Sequence, residues 1–126
     1  MNDDEDKERV SMGVSKKGKR KIICLNRDFY WYVTPDWEDA GQVKLHIISE
    51  DKQFIAAYNV GQSSQPDSAP FIVIQGKQFE GIVMENGCYK RILTPVWEDD
   101  TVITPDIVAR IIVWCFSVKE VVTLAD

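Results

Sequence analysis

The sequence contains only one histidine, His46, and three cysteines, Cys24, Cys88 and Cys115. The cysteines are odd in number, widely spaced and set in apolar segments, which favours reduced, buried thiols over disulfides or a zinc site. A Gly-rich phosphate loop is missing, and so are C-x-x-C, H-E-x-x-H and G-x-S-x-G. The motifs therefore give no basis for naming a catalytic residue, a metal, a cofactor or a reaction.

Long apolar runs are absent, and the pattern of the N-terminal residues does not predict a leader. The apolar stretch at residues 107–116 reaches about half of the roughly 20 residues that a membrane helix needs, and it contains Arg110. The N-terminus, MNDDEDKERV, is acidic where a secretory signal needs a basic start and an apolar core. These features predict a cytoplasmic protein without a membrane segment.

The charge is unevenly distributed. Residues 1–21 carry a net charge of +2 and residues 22–126 a net charge of −7. Residues 1–20, an acidic block followed by a basic block, predict a flexible charged tail, and residues 21–126 predict a single globular domain. An acidic body disfavours a nucleic-acid backbone and favours a basic partner, although a basic tail beside aromatic residues is also a pattern of single-strand binders.

An internal repeat organises the body. Residues 22–39, IICLNRDFYWYVTPDWED, are echoed by residues 82–99, IVMENGCYKRILTPVWED, with seven of the eighteen positions identical. Each copy predicts a hairpin followed by an acidic turn, with the hairpins turning at residues 26–27 and 86–87. The second of these turns is Asn-Gly, the dipeptide that suits a tight type I′ turn. Further strands are predicted at residues 42–49, 53–60 and 71–74, and the turn-rich residues 61–70 predict a loop.

The C-terminal segment changes from strand to helix signals. Thr104 can cap a helix, Pro105 suits the first helical position, and the charge of Asp106 is favourable near the positive end of the helix dipole. Residues 105–117 therefore predict a helix. Their many β-branched residues keep a strand as the alternative. Residues 121–124 could add a last strand. The sequence thus predicts a mainly β (α+β) fold, an antiparallel curled sheet or small barrel of two related hairpin-turn halves with the helix packed on it.

One predicted strand carries aromatic side chains on both faces. Phe29, Trp31 and Val33 point one way, and Tyr30 and Tyr32 point the other. Such a strand is either covered on both faces or exposes an apolar surface that can bind another molecule, and coverage is the favoured interpretation.

Three segments resemble a group of small bacterial proteins of unknown function. They are KRKIICLNRDFYWYV, LHIISEDKQFI and ITPDIVARIIVWC, and the likeness spans residues 14–118. It implies a bacterial cytosolic protein and carries no named activity, so it assigns no functional residue.

The acidic turns are the leading candidate site. They comprise Asp36, Trp37, Glu38, Asp39, Trp97, Glu98, Asp99 and Asp100. Local capping by the acids, with the tryptophans anchored in the core, is the structural interpretation, and docking of a basic protein partner is the functional one. A metal site is disfavoured because the calcium-loop spacing is absent. On the functional interpretation, the chain is a non-catalytic interaction module, of an inhibitor, immunity-like or regulatory kind.

An alternative site is a ligand pocket in a β-barrel, lined by His46, Tyr30, Tyr32 and Tyr58. It would take a small molecule or a single-stranded nucleic acid, although nucleic acid is the less favoured of these partners. An enzyme ranks third and would need a carboxylate or hydroxyl beside His46. Exposed sheet edges also allow a homodimer, and the sequence does not decide between monomer and dimer.

Overall fold

Six strands form one antiparallel sheet whose spatial order follows the chain. The computed structural model describes residues 18–65, 67–85 and 88–125. The strands are β1 (Arg20–Cys24), β2 (Arg27–Asp36), β3 (Gln42–Ser49), β4 (Phe54–Asn59), β5 (Phe71–Gly76) and β6 (Tyr89–Leu93). Each pairs only with its chain neighbours, so the mainly β prediction is confirmed as an open, curled sheet in which β1 and β6 do not meet to close a barrel.

One helix, α1 (Pro105–Phe116), covers one face of the sheet. Thr104 caps it by accepting a hydrogen bond from the Ile107 N–H at 3.3 Å, and Pro105 occupies its first turn, which confirms the predicted helix. Alternation places every second strand residue in the core with the buried side of α1. The core includes Phe29, Trp31, Leu45, Ile47, Phe54, Ala56, Tyr58, Ile72, Ile74, Ile92, Ile107, Val108, Ile111, Ile112 and Cys115.

The first copy of the repeat forms the predicted hairpin, with its turn shifted by one residue. Cys24 pairs with Arg27, which leaves Leu25 and Asn26 as the two turn residues, with φ values of 55° and 59°. Two successive positive φ angles match the type I′ turn whose twist suits antiparallel strands. β1 begins at Arg20, and residues 1–17 of the predicted tail lie outside the described residues.

The second copy does not form the predicted hairpin. Residues 79–85 form no strand, and residues 86–87 lie outside the described residues. Phe79 is instead buried in edge contact with the Trp114 ring at 5.6 Å, and the Glu80 N–H donates to the Cys115 carbonyl at 3.0 Å. Phe79 and Met84 of this segment are thus buried in the core, while Val83 is exposed, and these tertiary contacts outweigh strand pairing.

The C-terminal tail takes the place of a partner strand at the β6 edge. The Leu93 N–H donates to the Thr123 carbonyl and the Ala125 N–H donates to the Arg91 carbonyl, each at 2.9 Å. Ile92 and Leu124 form one isolated bridge, so the predicted last strand is reduced to this contact. Among the described strands, β1 is left with an edge that no other strand pairs.

The second face of the sheet, which we call the outer face, is not covered by any described element. Tyr30, Tyr32, His46 and Ile48 lie on it and are half-buried by one another. Coverage of both faces of β2, the favoured interpretation, is not seen among the described residues and stays a prediction. The helix packs on the opposite face.

Candidate functional site

Both acidic turns lie at the same end of the sheet. The first connects β2 to β3, and the second follows β6 and precedes α1. In an antiparallel meander these connections fall at one end, while the β1–β2, β3–β4 and β5–β6 connections fall at the other. The repeat thus places two acid-rich segments on a common side of the molecule.

The first turn is a one-turn 3-10 helix, Trp37–Asp39, held by Asp36 and Lys44. Asp36 accepts a hydrogen bond from the Glu38 N–H at 3.0 Å, as an N-cap residue does. The Lys44 ammonium lies 3.1 Å from a carboxylate oxygen of Asp36 and 3.1 Å from one of Asp39. Lys44 reaches both carboxylates because it projects from β3 beside the end of β2. This role was not identified from the sequence, although strand alternation places Lys44 on the same face as Asp36.

These contacts shift the ionisation of both partners. The hydrogen bond from Lys44, followed by that from the Glu38 N–H, lowers the pKa of Asp36. Burial by itself lowers the pKa of Lys44, but its bonds to Asp36 and Asp39 outweigh burial and leave that pKa raised. The carboxylates of Asp36 and Asp39 therefore stabilise the turn through Lys44, which supports the capping interpretation for these two acids.

Trp37 projects from this turn with 80% of its surface exposed. Its ring lies beside Gly41, where an added Cβ would be 3.0 Å from the ring. Gly41 has a φ of +78°, so it supplies both the left-handed backbone and the space for the ring. The result is a tryptophan that is held in place from one side and open to solvent on the rest.

In the second turn, by contrast, the tryptophan and one of the acids are buried. Trp97 is 8% exposed and packs edge-on against Tyr58 and Trp114, with ring centroids 5.5 Å and 5.9 Å apart. Asp100 is fully buried and accepts hydrogen bonds from the Tyr58 hydroxyl and from Ser63, through its N–H at 3.2 Å and its hydroxyl at 2.5 Å. A partner could reach only the remaining acids of this turn.

Those remaining acids are Glu98 and Asp99, which are exposed. Asp99 bonds to Arg110 of α1, and this bond is the main cause that lowers the pKa of Asp99. Arg110 also lies 3.0 Å from Asp106, one helical turn away. Within the described part of the chain, Glu38 and Glu98 are the two exposed acids of the turns that form no ion pair.

The alternative pocket is not assembled as predicted. Tyr30, Tyr32 and His46 lie on the outer face, whereas Tyr58 lies on the core face, where burial and then the bond to Asp100 raise its pKa. Tyr32 and His46 stack with centroids 4.7 Å apart and an angle of 12° between their planes. Burial, with smaller effects from Lys44 and Lys19, lowers the pKa of His46.

His46 has no catalytic partner among the described residues. Neither a hydroxyl nor a carboxylate of this part of the chain donates to it or accepts from it; its contact is the Tyr32 ring. Ser63 is bonded to a carboxylate but has no imidazole beside it. The arrangement that a Ser-His or carboxylate-His mechanism needs is therefore not formed by the residues that the structure describes.

The cysteines differ from one another in exposure. Cys115 is buried and Cys24 is half-buried, and burial raises the pKa of both thiols. Cys88 is exposed, so the expectation of three buried thiols is wrong for it. In residues 18–65, 67–85 and 88–125, His, Cys, Asp and Glu side chains form no group of three that could hold a metal ion.

Comparison with known proteins gives no assignment. No protein-family model matches the chain, and neither the curated proteins nor the solved structures include a match. The longest helix in the described residues, α1, has 12 residues and falls short of what a membrane-spanning helix requires. The function has to be argued from the geometry of the two turns and the outer face.

Proposed function

We propose that this chain is a non-catalytic interaction module of the bacterial cytosol, which binds a basic protein partner through the end of the sheet that carries the two acidic turns. Trp37 is the anchor, and Glu38 and Glu98 supply the charge that attracts the partner. The observation that carries the proposal is the 80% exposure of Trp37 on a turn held by Asp36, Lys44 and Gly41.

The energetics favour an aromatic anchor with acidic neighbours. A tryptophan that is exposed in the unbound protein loses water from a large apolar surface on binding, and tryptophan is enriched among the residues that dominate interface energies. Because the turn is already ordered, little conformational entropy is lost when the ring is buried. The unpaired carboxylates speed encounter with a basic surface more than they add affinity.

We narrow the proposed contact residues to those acids and tryptophans of the turns that the fold itself does not use. Trp97 and Asp100 hold the second turn to the core, and Asp36, Asp39 and Asp99 hold local structure through Lys44 and Arg110. We therefore assign these five to positioning and keep Trp37, Glu38 and Glu98 as the contact residues. Self-association through the β1 edge stays a prediction and is a separate possible outcome of any binding assay.

The experiment is affinity capture from a lysate, followed by identification of the bound proteins by mass spectrometry. The variants are wild type, Trp37→Ala and the double reversal Glu38→Lys with Glu98→Lys. The matched control reverses two exposed acids elsewhere, Glu85→Lys with Glu120→Lys, so that the net charge changes equally.

The proposal requires one basic protein that is recovered with wild type and the control and lost with both site variants. Because exposed charges are screened by salt, recovery should fall as ionic strength rises above about 0.15 M. Equal recovery by all four proteins would show that the acidic turns are structural only.

A further inference from the structure

One row of side chains crosses the outer face from β2 to β6. The strand registers place Tyr32 opposite His46, His46 opposite Ala57, Ala57 opposite Val73, and Val73 opposite Arg91. Lys19 extends the row beyond β2, with its ammonium 5.3 Å from the centre of the Tyr32 ring. The row thus has a cation at each end and two stacked rings near one end.

Ala57 leaves a gap in this row. The Tyr32 ring covers one face of His46, but the residue on the other side is Ala57, whose single methyl group is too short to cover a ring. Strands β3 and β5 are separated by about 10 Å, twice the strand spacing of about 4.8 Å. One planar ring standing above Ala57 would fit between His46 and Val73 and would continue the stack.

The charges around the gap favour an anionic ligand. In the described part of the chain, neither Lys19 nor Arg91 pairs with a carboxylate, whereas Asp28 and Asp36 on this face pair with Lys21 and Lys44. The Arg91 guanidinium lies over the Phe71 ring, 4.9 Å from its centre, which supports it on the β6 side of the gap. Arg91, the register partner of Val73, is therefore an exposed cation without a carboxylate partner in this part of the chain, and its long side chain can turn from Phe71 toward a phosphate at the gap.

We propose that this gap binds a mononucleotide, with the base stacked on His46 above Ala57 and the phosphate directed to Arg91. A single nucleotide suits the site better than a nucleic-acid chain, because the body has a net charge of −7 and would repel a polyanion. The site does not include Trp37, so a failure of this proposal would leave the proposed interaction surface at the acidic turns untouched, and the reverse.

The test is a titration of the full chain with AMP, GMP, CMP and UMP, followed by amide chemical shifts in NMR spectra. Adenosine and inorganic phosphate serve as half-ligands, and an oligothymidylate serves as the chain form. The variants are Ala57→Phe, which fills the gap with a ring, and Ala57→Ser, which keeps it open. Arg91→Gln removes the charge. Thermal melting checks that each variant is folded.

We expect at least one mononucleotide to shift the amides of His46, Ala57 and Val73 with an affinity of about 1 mM or better. Ala57→Phe should weaken this binding at least about tenfold because base stacking is lost, and Ala57→Ser should leave it unchanged. Arg91→Gln should weaken AMP about fivefold and leave adenosine unchanged.

Four results would overturn the proposal. They are no shift with any of the four nucleotides at about 10 mM, equal binding by wild type and a folded Ala57→Phe, binding of phosphate as tight as that of AMP, and binding of oligothymidylate at least tenfold tighter than that of any mononucleotide. The last would assign the face to single-stranded nucleic acid instead.

Discussion

The Tyr58 hydroxyl donates a hydrogen bond to the carboxylate of Asp100, 42 residues later in the chain. Both side chains are buried, and the same carboxylate accepts two further hydrogen bonds from Ser63. The contact joins β4 to the turn that precedes α1. The second acidic turn is therefore fixed from inside the core, which explains why its tryptophan is buried while Trp37 is exposed.

Removing the Tyr58 hydroxyl should destabilise the fold. Tyr58→Phe leaves the buried carboxylate of Asp100 one donor short, so we expect the free energy of unfolding to fall by about 1–3 kcal/mol. Urea denaturation measures the change. Tyr89→Phe, which removes an exposed hydroxyl from β6, is the matched control and should change stability by less than about 0.5 kcal/mol. Equal effects of the two changes would contradict this role of the Tyr58–Asp100 bond.

Gly76 should be far less tolerant of alanine than Gly18. Both glycines have positive φ, +88° and +84°, so each substitution carries the backbone strain of about 1–2 kcal/mol. At Gly76 the added Cβ would also lie 2.4 Å from the Gln53 carbonyl oxygen, whereas at Gly18 nothing lies within 4 Å. Thermal melting should place Gly76→Ala well below Gly18→Ala. Melting temperatures within a degree or two of each other would show that the β4–β5 contact adjusts freely.

Stability should fall as the pH falls from 6.5 toward the folded-state pKa of His46. Its pKa is lowered from 6.5 by burial and then by Lys44, so below pH 6.5 the unfolded chain binds more protons than the folded one. Asp36, Asp51 and Asp99 have pKa values lowered from 3.8, so they act at more acidic pH. Urea midpoints measured between about pH 5 and pH 7.5 should drop for wild type and stay flat for His46→Gln. A wild-type ring that titrates above pH 6.5 by NMR would contradict the burial of His46.

Local signals predicted the elements whose sequence and packing agree. Thr104, Pro105 and Asp106 carry a complete helix start, and α1 begins at Pro105. Residues 43–47 alternate apolar and polar side chains, and β3 forms over the predicted span, Gln42–Ser49. In these segments the local preference and the core demand the same conformation, so the sequence pattern was sufficient.

Similarity between the repeat copies was a poor guide to their structure. Ile22 and Ile82 occupy equivalent positions, but β1 pairs with β2, while the segment of Ile82 forms no strand and begins with Phe79 and Glu80 in contact with the end of α1. The difference comes from tertiary contacts, because only the second copy is followed by the helix and its tail. A pattern confined to eighteen residues does not contain that information.

The environment of the candidate residues was likewise outside the reach of the sequence. Trp37 and Trp97 stand in the same T-P-x-W-E-D context, yet they are 80% and 8% exposed. Which one is buried depends on Tyr58 and Trp114, which come from distant positions in the chain. The acids were identifiable as a cluster, but their division into positioning and exposed groups required Lys44, Ser63 and Arg110.

Calorimetric titration of the captured partner into wild type and Trp37→Ala measures how much Trp37 contributes to binding a basic protein. Val118→Ala, which shortens another exposed apolar side chain, is the control. We expect Trp37→Ala to weaken binding by at least about 2 kcal/mol, roughly thirtyfold in affinity, and Val118→Ala to leave it unchanged. Equal affinities for wild type and a folded Trp37→Ala would contradict this expectation.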